Sequence, residues 1–253
     1  MNRFALIIDG SRVDPVYPID GCARDADAWE SWLTSPAGGG WKTGEYKVLN
    51  NPTKDQIDNY KSKLDKADFA ISTFSGHGRI LDHDNRHVQL LTIAGIDGPV
   101  EISLSYLVPK APKAIIVCDA CREVQPAPQM KAARAFTLTE NLALEPKREA
   151  YRAAYEKAVR DADNGLYYLF ACSKDEFAAD DPQKGGLFTQ TLLDTAQGWW
   201  LAQTGAATLY IGRAFTLAEP EVKRVAQKKD RNQQPQAIAD PRTRLAFPFA
   251  VQL

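Results

Sequence analysis

The sequence predicts an α/β fold in which a mostly parallel, six-stranded central sheet is flanked by helices and carries a small accessory hairpin. Two observations predict it. Short apolar runs rich in β-branched residues recur along the chain, and such runs are typical of strands buried on both faces of a parallel sheet. Amphipathic stretches alternate with these runs, and the order β-α-β-α-β-α-β favours right-handed crossovers within one sheet.

The first half of the chain supplies four predicted strands, over 4–9, 45–49, 68–74 and 114–118. A helix over 20–33 carries its apolar residues on one face, and a second helix, over 53–64, begins at the N-cap residue Thr53. Residues 88–93 and 100–102 predict a hairpin laid on the main sheet, followed by one or two helical turns over 103–108.

The second half begins with a connector over 124–164 that ends in an alanine-rich amphipathic helix over 148–163. Four of its cations are expected to be exposed: Lys131, Arg134, Lys147 and Arg148. The fifth buried strand, two more helices and a sixth strand at the sheet edge are predicted over 166–172, 185–203, 213–229 and 235–238.

Composition limits the class of protein. A chain of 253 residues suits one domain or a small pair, and its net charge of −1 gives no reason to expect nucleic acid or an anionic membrane as a partner. No stretch has the pattern of a signal peptide or of a membrane-spanning helix. Four cysteines are too few for a disulfide framework, so a reducing cytoplasm is the predicted location.

Two predicted strands end in chemically useful residues. His77 follows Phe74 by three residues, and Cys121 follows Cys118 by the same number. If the two strands are neighbours, about 4.8 Å apart, this equal overshoot brings an imidazole and a thiol to one edge of the sheet. Open α/β sheets place their binding and catalytic groups beyond the carboxyl ends of the strands.

These segments resemble caspase-like cysteine peptidases, and especially the prokaryotic metacaspase-like, or orthocaspase, branch. The central matches are SGHG at 75–78 and DACR at 119–122, with 44 residues from His77 to Cys121 against the roughly 50 of a caspase-type pair. Further matches are DGCARDA at 20–26, ACS at 171–173 continuing to Asp180, and QPQ at 234–236.

The resemblance implies a single caspase-like domain over 1–253, folded as a three-layer sandwich. Residues 1–123 correspond to the large-subunit-like part with His77 and Cys121, residues 124–164 to the connector, and residues 165–253 to the small-subunit-like part. The activity that it implies is hydrolysis of peptide bonds by a cysteine endopeptidase.

In this chemistry Cys121 is the nucleophile and His77 the base that activates it, because a thiol is mostly protonated at neutral pH. His77 later protonates the leaving amine. The backbone amides of Gly78 and Cys121 are placed to donate to the oxyanion, a contribution worth about 3 kcal/mol for each donor. The alternative is a buried structural cysteine beside a surface histidine.

Acidic side chains are expected to form the first substrate pocket. Asp119 and Ser75 each lie two residues before a catalytic residue, so their side chains should flank one pocket, and the resemblance adds Asp25 as a third wall. Two desolvated carboxylates without a cation oppose joint ionisation, and an arginine or lysine side chain would relieve this. Cleavage after Arg or Lys is therefore predicted.

Arg24 is a departure from the family, which usually has asparagine at this position; turned inward, it would neutralise Asp25. The alternative role for Asp25 is stabilisation at a helix N-terminus, and the alternative role for Asp119 is a local pair with Arg122.

Two further motifs have alternative interpretations. Cys118 and Cys121 form a C-x-x-C pair, but a redox pair needs both thiols accessible and Cys118 ends an apolar run. His83, His87, Asp82 and Asp84 could suggest a metal site, although their surroundings are typical of a solvated loop. No metal ligands or cofactors are therefore assigned, and calcium dependence, which some metacaspases show, stays open.

The connector raises the question of self-cleavage, because a protease specific for basic residues would find Lys131, Arg134, Lys147, Arg148 and Arg152 there. A solvated helix that is never cut is the alternative. Three function classes remain: an endopeptidase in a bacterial stress or antiphage cell-death pathway, a catalytically silent scaffold that binds partners, and a C-x-x-C oxidoreductase. A monomer is expected, with a peptide substrate and an activating protein as candidate partners.

Overall fold

A computed structural model describes residues 1–13, 17–83, 86–122, 145–239 and 246–253. In chain order its elements are β1 (Arg3–Gly10), α1 (Gly21–Thr34), β2 (Tyr46–Asn50), α2 (Lys54–Asp65), β3 (Phe69–Gly76), β4 (Gly78–His83), β5 (Arg86–Ile93), β6 (Val100–Ser103), a 3₁₀ helix (Leu104–Leu107), β7 (Lys113–Ala120), α3 (Glu145–Asp161), β8 (Gly165–Phe170), β9 (Asp180–Asp181), β10 (Gly185–Gly186), α4 (Leu187–Ala202), β11 (Ala207–Tyr210), α5 (Ile211–Gln227), β12 (Gln236–Ala239) and β13 (Pro248–Gln252).

The predicted central sheet is confirmed. Its six strands lie in the order β12-β8-β7-β3-β1-β2, and every pairing is parallel except that of β12 with β8. The edge strand expected near residue 235 is therefore present as β12. The start of α2 is also as predicted, because the Thr53 side chain accepts a hydrogen bond from the Gln56 amide in a capping box.

Two apolar layers cover the sheet. On the first face, helices α1, α3, α4 and α5 pack against the sheet. Their buried side chains include Trp29, Tyr155, Phe188 and Phe215. The other face packs on α2, the accessory hairpin and the 3₁₀ helix, through residues such as Ile57. Helices on both faces of a mostly parallel sheet make the predicted three-layer sandwich.

Several predicted boundaries are wrong. Strands β3 and β7 each continue two residues further than expected, through Gly76 and Ala120, because hydrogen bonds satisfy the polar side chains there. The predicted loop after Gly78 is strand β4, so the accessory hairpin has three strands. The short pairs β9 with β10 and β11 with β13 had no periodic signal long enough to predict them.

The connector prediction is only partly testable, since Lys131 and Arg134 lie outside the described residues. Lys147 is exposed as expected, but Arg148 is half-buried and donates to the carbonyl of Trp41. Arg152 is also half-buried in α3 and forms an ion pair with Glu45. None of the described helices is long and apolar enough to cross a membrane.

Candidate catalytic site

His77 and Cys121 follow two neighbouring strands at the carboxyl edge of the sheet. Strands β3 and β7 pair in parallel, with Gly76 opposite Ala120, and His77 and Cys121 are the next residue on each. Adjacent strands lie about 4.8 Å apart, so the two backbone positions are neighbours. The predicted adjacency of the two strands is therefore confirmed.

The His77 ring is oriented by a loop contact. Its Nε2 atom hydrogen-bonds the backbone carbonyl of Tyr17, and His77 itself is half-buried. A carbonyl oxygen can only accept a hydrogen bond, so in neutral His77 the Nε2 atom carries the proton. The Nδ1 atom then has the lone pair that a general base requires.

Cys121 is half-buried, and the backbone around it is fixed from two sides. The Gln89 side chain donates to the Cys121 carbonyl at 3.1 Å, and the Arg122 amide donates to the Glu176 carbonyl at 3.0 Å. Gln89 was not predicted as a site residue. The only available signal was an amide side chain within the mostly apolar run VQLLTI.

Arg122 braces this region and does not pair locally with Asp119. Its guanidinium donates to the Gln89 side chain at 3.2 Å, to the Cys172 carbonyl at 3.2 Å and to the Gln236 side chain at 2.6 Å. The same group lies 4.3 Å from the ring centroid of Phe170. Arg122, the residue after Cys121, is thus bonded to residues of β5 and β12 and to a residue just after β8.

Gly78, the predicted second oxyanion donor, lies tightly against β7. A Cβ atom at this position would be 2.9 Å from the Ala120 Cβ and 2.9 Å from the Leu90 carbonyl oxygen. A side chain would therefore force the hairpin away from the strand that carries Cys121. The glycine is required by this close approach rather than by its φ angle.

Asp25, Ser75 and Asp119 are buried together beside the start of α4. Asp119 accepts hydrogen bonds from the Thr189 amide at 3.0 Å and hydroxyl at 2.7 Å. Asp25 accepts from the Gly186 amide at 2.9 Å and the Gln190 side chain at 3.0 Å. We call the space between the two carboxylates the acidic hollow.

Burial and mutual repulsion disfavour the charged forms of these acids. Burial raises the pKa of Asp119 to about 6. Burial, followed by the charge of Asp119, raises the pKa of Asp25 well above its ordinary value, although hydrogen bonds from Gln190 and Ser75 oppose this. Asp25 Oδ2 is buried without a hydrogen-bond partner, and neither acid is in an ion pair within the described ranges.

The backbone of the β9–β10 hairpin completes the hollow. A Cβ atom on Gly186 would lie 2.5 Å from Asp119 Oδ2 and 2.8 Å from Asp25 Oδ2, so only glycine leaves the space open. Asp180 is a third acid that was not assigned to the pocket, and burial, together with the charge of Asp119, raises its pKa to about 6. Its two-residue strand gave no sequence signal.

Arg24 does not enter the hollow. It is exposed on α1, while the next residue, Asp25, is buried. The Arg24 side chain instead lines a separate cavity with Asp20 and Pro182. The predicted risk that Arg24 neutralises Asp25 is therefore not realised in this structure.

The redox alternative loses support because Cys118 is buried in β7, and burial raises the pKa of its thiol to about 12. None of the four cysteines forms a disulfide, and the thiols of Cys22 and Cys172 are buried. At the hairpin tip, His87 hydrogen-bonds Asp82 on the neighbouring strand, so these residues are not in a loop. Asp84 lies outside the described residues.

Solved structures with a similar fold include an insect caspase and a bacterial protein. Caspase-1 from Spodoptera frugiperda aligns with a TM-score of 0.58 and 15% identity, covering 94% of this chain and 86% of that chain. Protein GSU0716 from Geobacter sulfurreducens aligns with a TM-score of 0.60 and 14% identity, covering 100% of both chains. At this identity the likeness concerns the fold.

No curated protein matches the sequence. The peptidase C14 family, described as the caspase domain, does match it, over residues 2–246. That range includes every element of the site, from the loop before α1 to the strand β12. The chain therefore belongs to the caspase-domain family of cysteine-type peptidases.

Proposed function

We propose that this protein is an endopeptidase that cleaves after arginine or lysine, with Cys121 as nucleophile and His77 as base. One observation carries the specificity: two buried carboxylates meet in the acidic hollow, and Asp25 Oδ2 has no hydrogen-bond donor. A guanidinium or ammonium group in the hollow would supply both the missing donors and the missing positive charge.

The proposed reaction follows from the arrangement at the sheet edge. The proton on Cys121 Sγ passes to His77 Nδ1 as the sulfur attacks the carbonyl carbon of the substrate. The amides of Gly78 and Cys121 donate to the resulting oxyanion. The C–N bond then breaks, the leaving amine takes the proton from His77, and water hydrolyses the thioester to regenerate the thiol.

Matched fluorogenic peptides that end in Arg, Lys or Asp, assayed with and without calcium, test this proposal. We expect the Arg and Lys peptides to be cleaved and Cys121→Ala to abolish their turnover. Asp25→Asn should reduce the preference for the basic peptides over a peptide with a neutral end. No turnover of any peptide would support the silent scaffold, and cleavage of only the Asp peptide would contradict the basic pocket.

The remaining predictions rest on the resemblance. Apart from the cytoplasmic location, which rests on the four cysteines, they are the role in a bacterial stress or antiphage pathway, the monomeric state, the activating partner and any requirement for calcium. The assay with and without calcium addresses the last of these.

A further inference from the structure

A second cavity lies at the same edge of the sheet as Cys121. Its volume is about 430 Å³, and it opens between the ends of β1 and β2 and the first turn of α1. Its lining is polar and carries both signs of charge: Asp9, Ser11, Arg12, Asp20, Ala23, Arg24, Asn50, Asn51 and Pro182.

Most of the charged and polar groups in this lining are already paired. Arg12 forms an ion pair with Asp20 at 2.8 Å, and its amide donates to the Asn51 side chain at 2.6 Å. Asp9 accepts from the Ser11 amide at 2.8 Å. Asp20 is thus paired with Arg12, and the buried carboxylate of Asp9 is held by a backbone amide.

Arg24 is the exception. No ion pair or hydrogen bond of the described residues includes its side chain. Its guanidinium is therefore the cationic group that the cavity offers to a ligand. A planar guanidinium pairs best with a carboxylate, through two parallel hydrogen bonds.

The cavity is within reach of a substrate bound at Cys121. Strand β1 pairs with β3 so that Gly10 lies opposite Gly76, which places Ser11, His77 and Cys121 at successive strand ends. Two strand spacings amount to about 10 Å, and an extended peptide covers about 3.3 Å for each residue. A side chain two or three residues from the cleaved bond spans this distance.

We propose that this cavity is a second substrate subsite, which binds a glutamate or aspartate side chain two or three residues from the cleaved bond through Arg24. The inference rests on the proposed peptidase function and adds an acidic residue to the substrate class.

Internally quenched peptides test the subsite. All share one arginine before the cut and carry Glu, Gln or Lys at a single position, two or three residues away on either side. We expect kcat/KM of the wild-type protein to be about five- to tenfold higher for Glu than for Gln at one position, and lowest for Lys. Arg24→Glu should invert this order, and Arg24→Lys should keep part of the preference.

Arg213→Glu is the matched control, because Arg213 is exposed on α5 and the same charge change there should leave the Glu-to-Gln ratio unaltered. Failure of the wild-type protein to cleave any basic peptide would refute the proposed function. Cleavage with equal rates for Glu and Gln, or a Glu preference that survives in Arg24→Glu, would refute the subsite alone.

Discussion

Asp119 is an acid whose charge is disfavoured in the folded protein. Its pKa is raised to about 6, so it holds a proton in the folded state at pH values where the unfolded chain has lost it. This shift lowers the free energy of unfolding. The loss is absent below about pH 4, grows between about pH 4 and 6, and is complete above about pH 6. Asp119→Asn should therefore stabilise the protein at pH 7.5 by up to about 3 kcal/mol and have little effect at pH 4.

Urea unfolding at the two pH values measures this difference. Asp27→Asn is the control, since Asp27 is an exposed acid on α1. A loss of stability in Asp119→Asn at pH 7.5 would mean that the hydrogen bonds from Thr189 outweigh the cost of the buried charge.

Binding of a basic side chain should strengthen as the pH rises, whereas the contribution of Asp119 to folding stability falls. A cation prefers ionised carboxylates, and Asp119 ionises as the pH rises through about 6. We expect the Cys121→Ala protein to bind a peptide ending in arginine about tenfold more weakly at pH 5 than at pH 7. The same peptide ending in citrulline is uncharged at that side chain and should show no such change. Equal affinities of the arginine peptide at both pH values would contradict the acidic hollow as its site.

Gln89 is a candidate positioning residue for the proposed reaction. It holds the carbonyl of Cys121, so its loss should misplace the Cys121 amide that is proposed to donate to the oxyanion. Gln89→Leu should lower kcat about tenfold or more with little change in KM. Alkylation of Cys121 by iodoacetamide forms no oxyanion, so its rate should be unchanged.

Two comparisons separate positioning from general damage. Gln236→Leu removes a partner of Arg122 but leaves the Gln89 contact with Cys121, and should retain more activity. If Gln89→Leu slows alkylation as much as it slows peptide cleavage, Gln89 supports the whole loop and has no specific role in the oxyanion site.

At the scale of elements, the accessory hairpin is held close to β7 by the absence of a side chain at Gly78. Gly78→Ala should lower kcat/KM by at least tenfold, because its Cβ would lie 2.9 Å from the Leu90 backbone and from the Ala120 Cβ. Gly198→Ala is the matched control: that position in α4 has open space, and alanine should stabilise the helix by up to about 1 kcal/mol. Unchanged activity in Gly78→Ala would show that the hairpin can shift without consequence.

Elements with a long periodic pattern could be predicted from the sequence, and short ones could not. The N-cap at Thr53 and the buried run before Asp119 determine their own local structure, so α2 and most of β7 were identified correctly. Strand β4 contains Arg79 and Asp82, whose charges hide its alternation. Strands β9 and β10 have two residues each and pack against α1, a contact that no periodic pattern in so short a stretch can indicate.

For the whole molecule, the burial of two basic residues of α3 limits where self-cleavage can occur. Arg148 and Arg152 are unsuitable, since both are half-buried in α3 and bonded to the segment around Glu45. If the protein cuts itself, we expect the cut after Lys131, Arg134 or Lys147. Lys147 is exposed, and Lys131 and Arg134 lie outside the described residues. Peptide mapping of wild type and Cys121→Ala after incubation would locate it. A cut after Arg152, or the same fragments from both proteins, would contradict this prediction.

The site itself illustrates what sequence can show at long range. His77 and Cys121 could be paired in advance because both follow strands at equal offsets. The hydrogen-bond donors to Asp119 and Asp25 could not be predicted in this way. Thr189 lies 70 residues from Asp119 along the chain, and Gly186 lies 161 residues from Asp25. Such contacts depend on how α4 packs against the end of the sheet, and no local pattern encodes that packing.

The side-by-side pairing of β7 with β8 has a consequence for a nicked chain. The chain between them, residues 121–164, joins two strands that are already hydrogen-bonded at six paired positions, from Lys113 to Cys118 of β7. Arg122 adds its bond to Gln236 from the other half. Severing that stretch would create two polypeptides on a denaturing gel, yet they would still elute from a sizing column as one particle of unchanged mass.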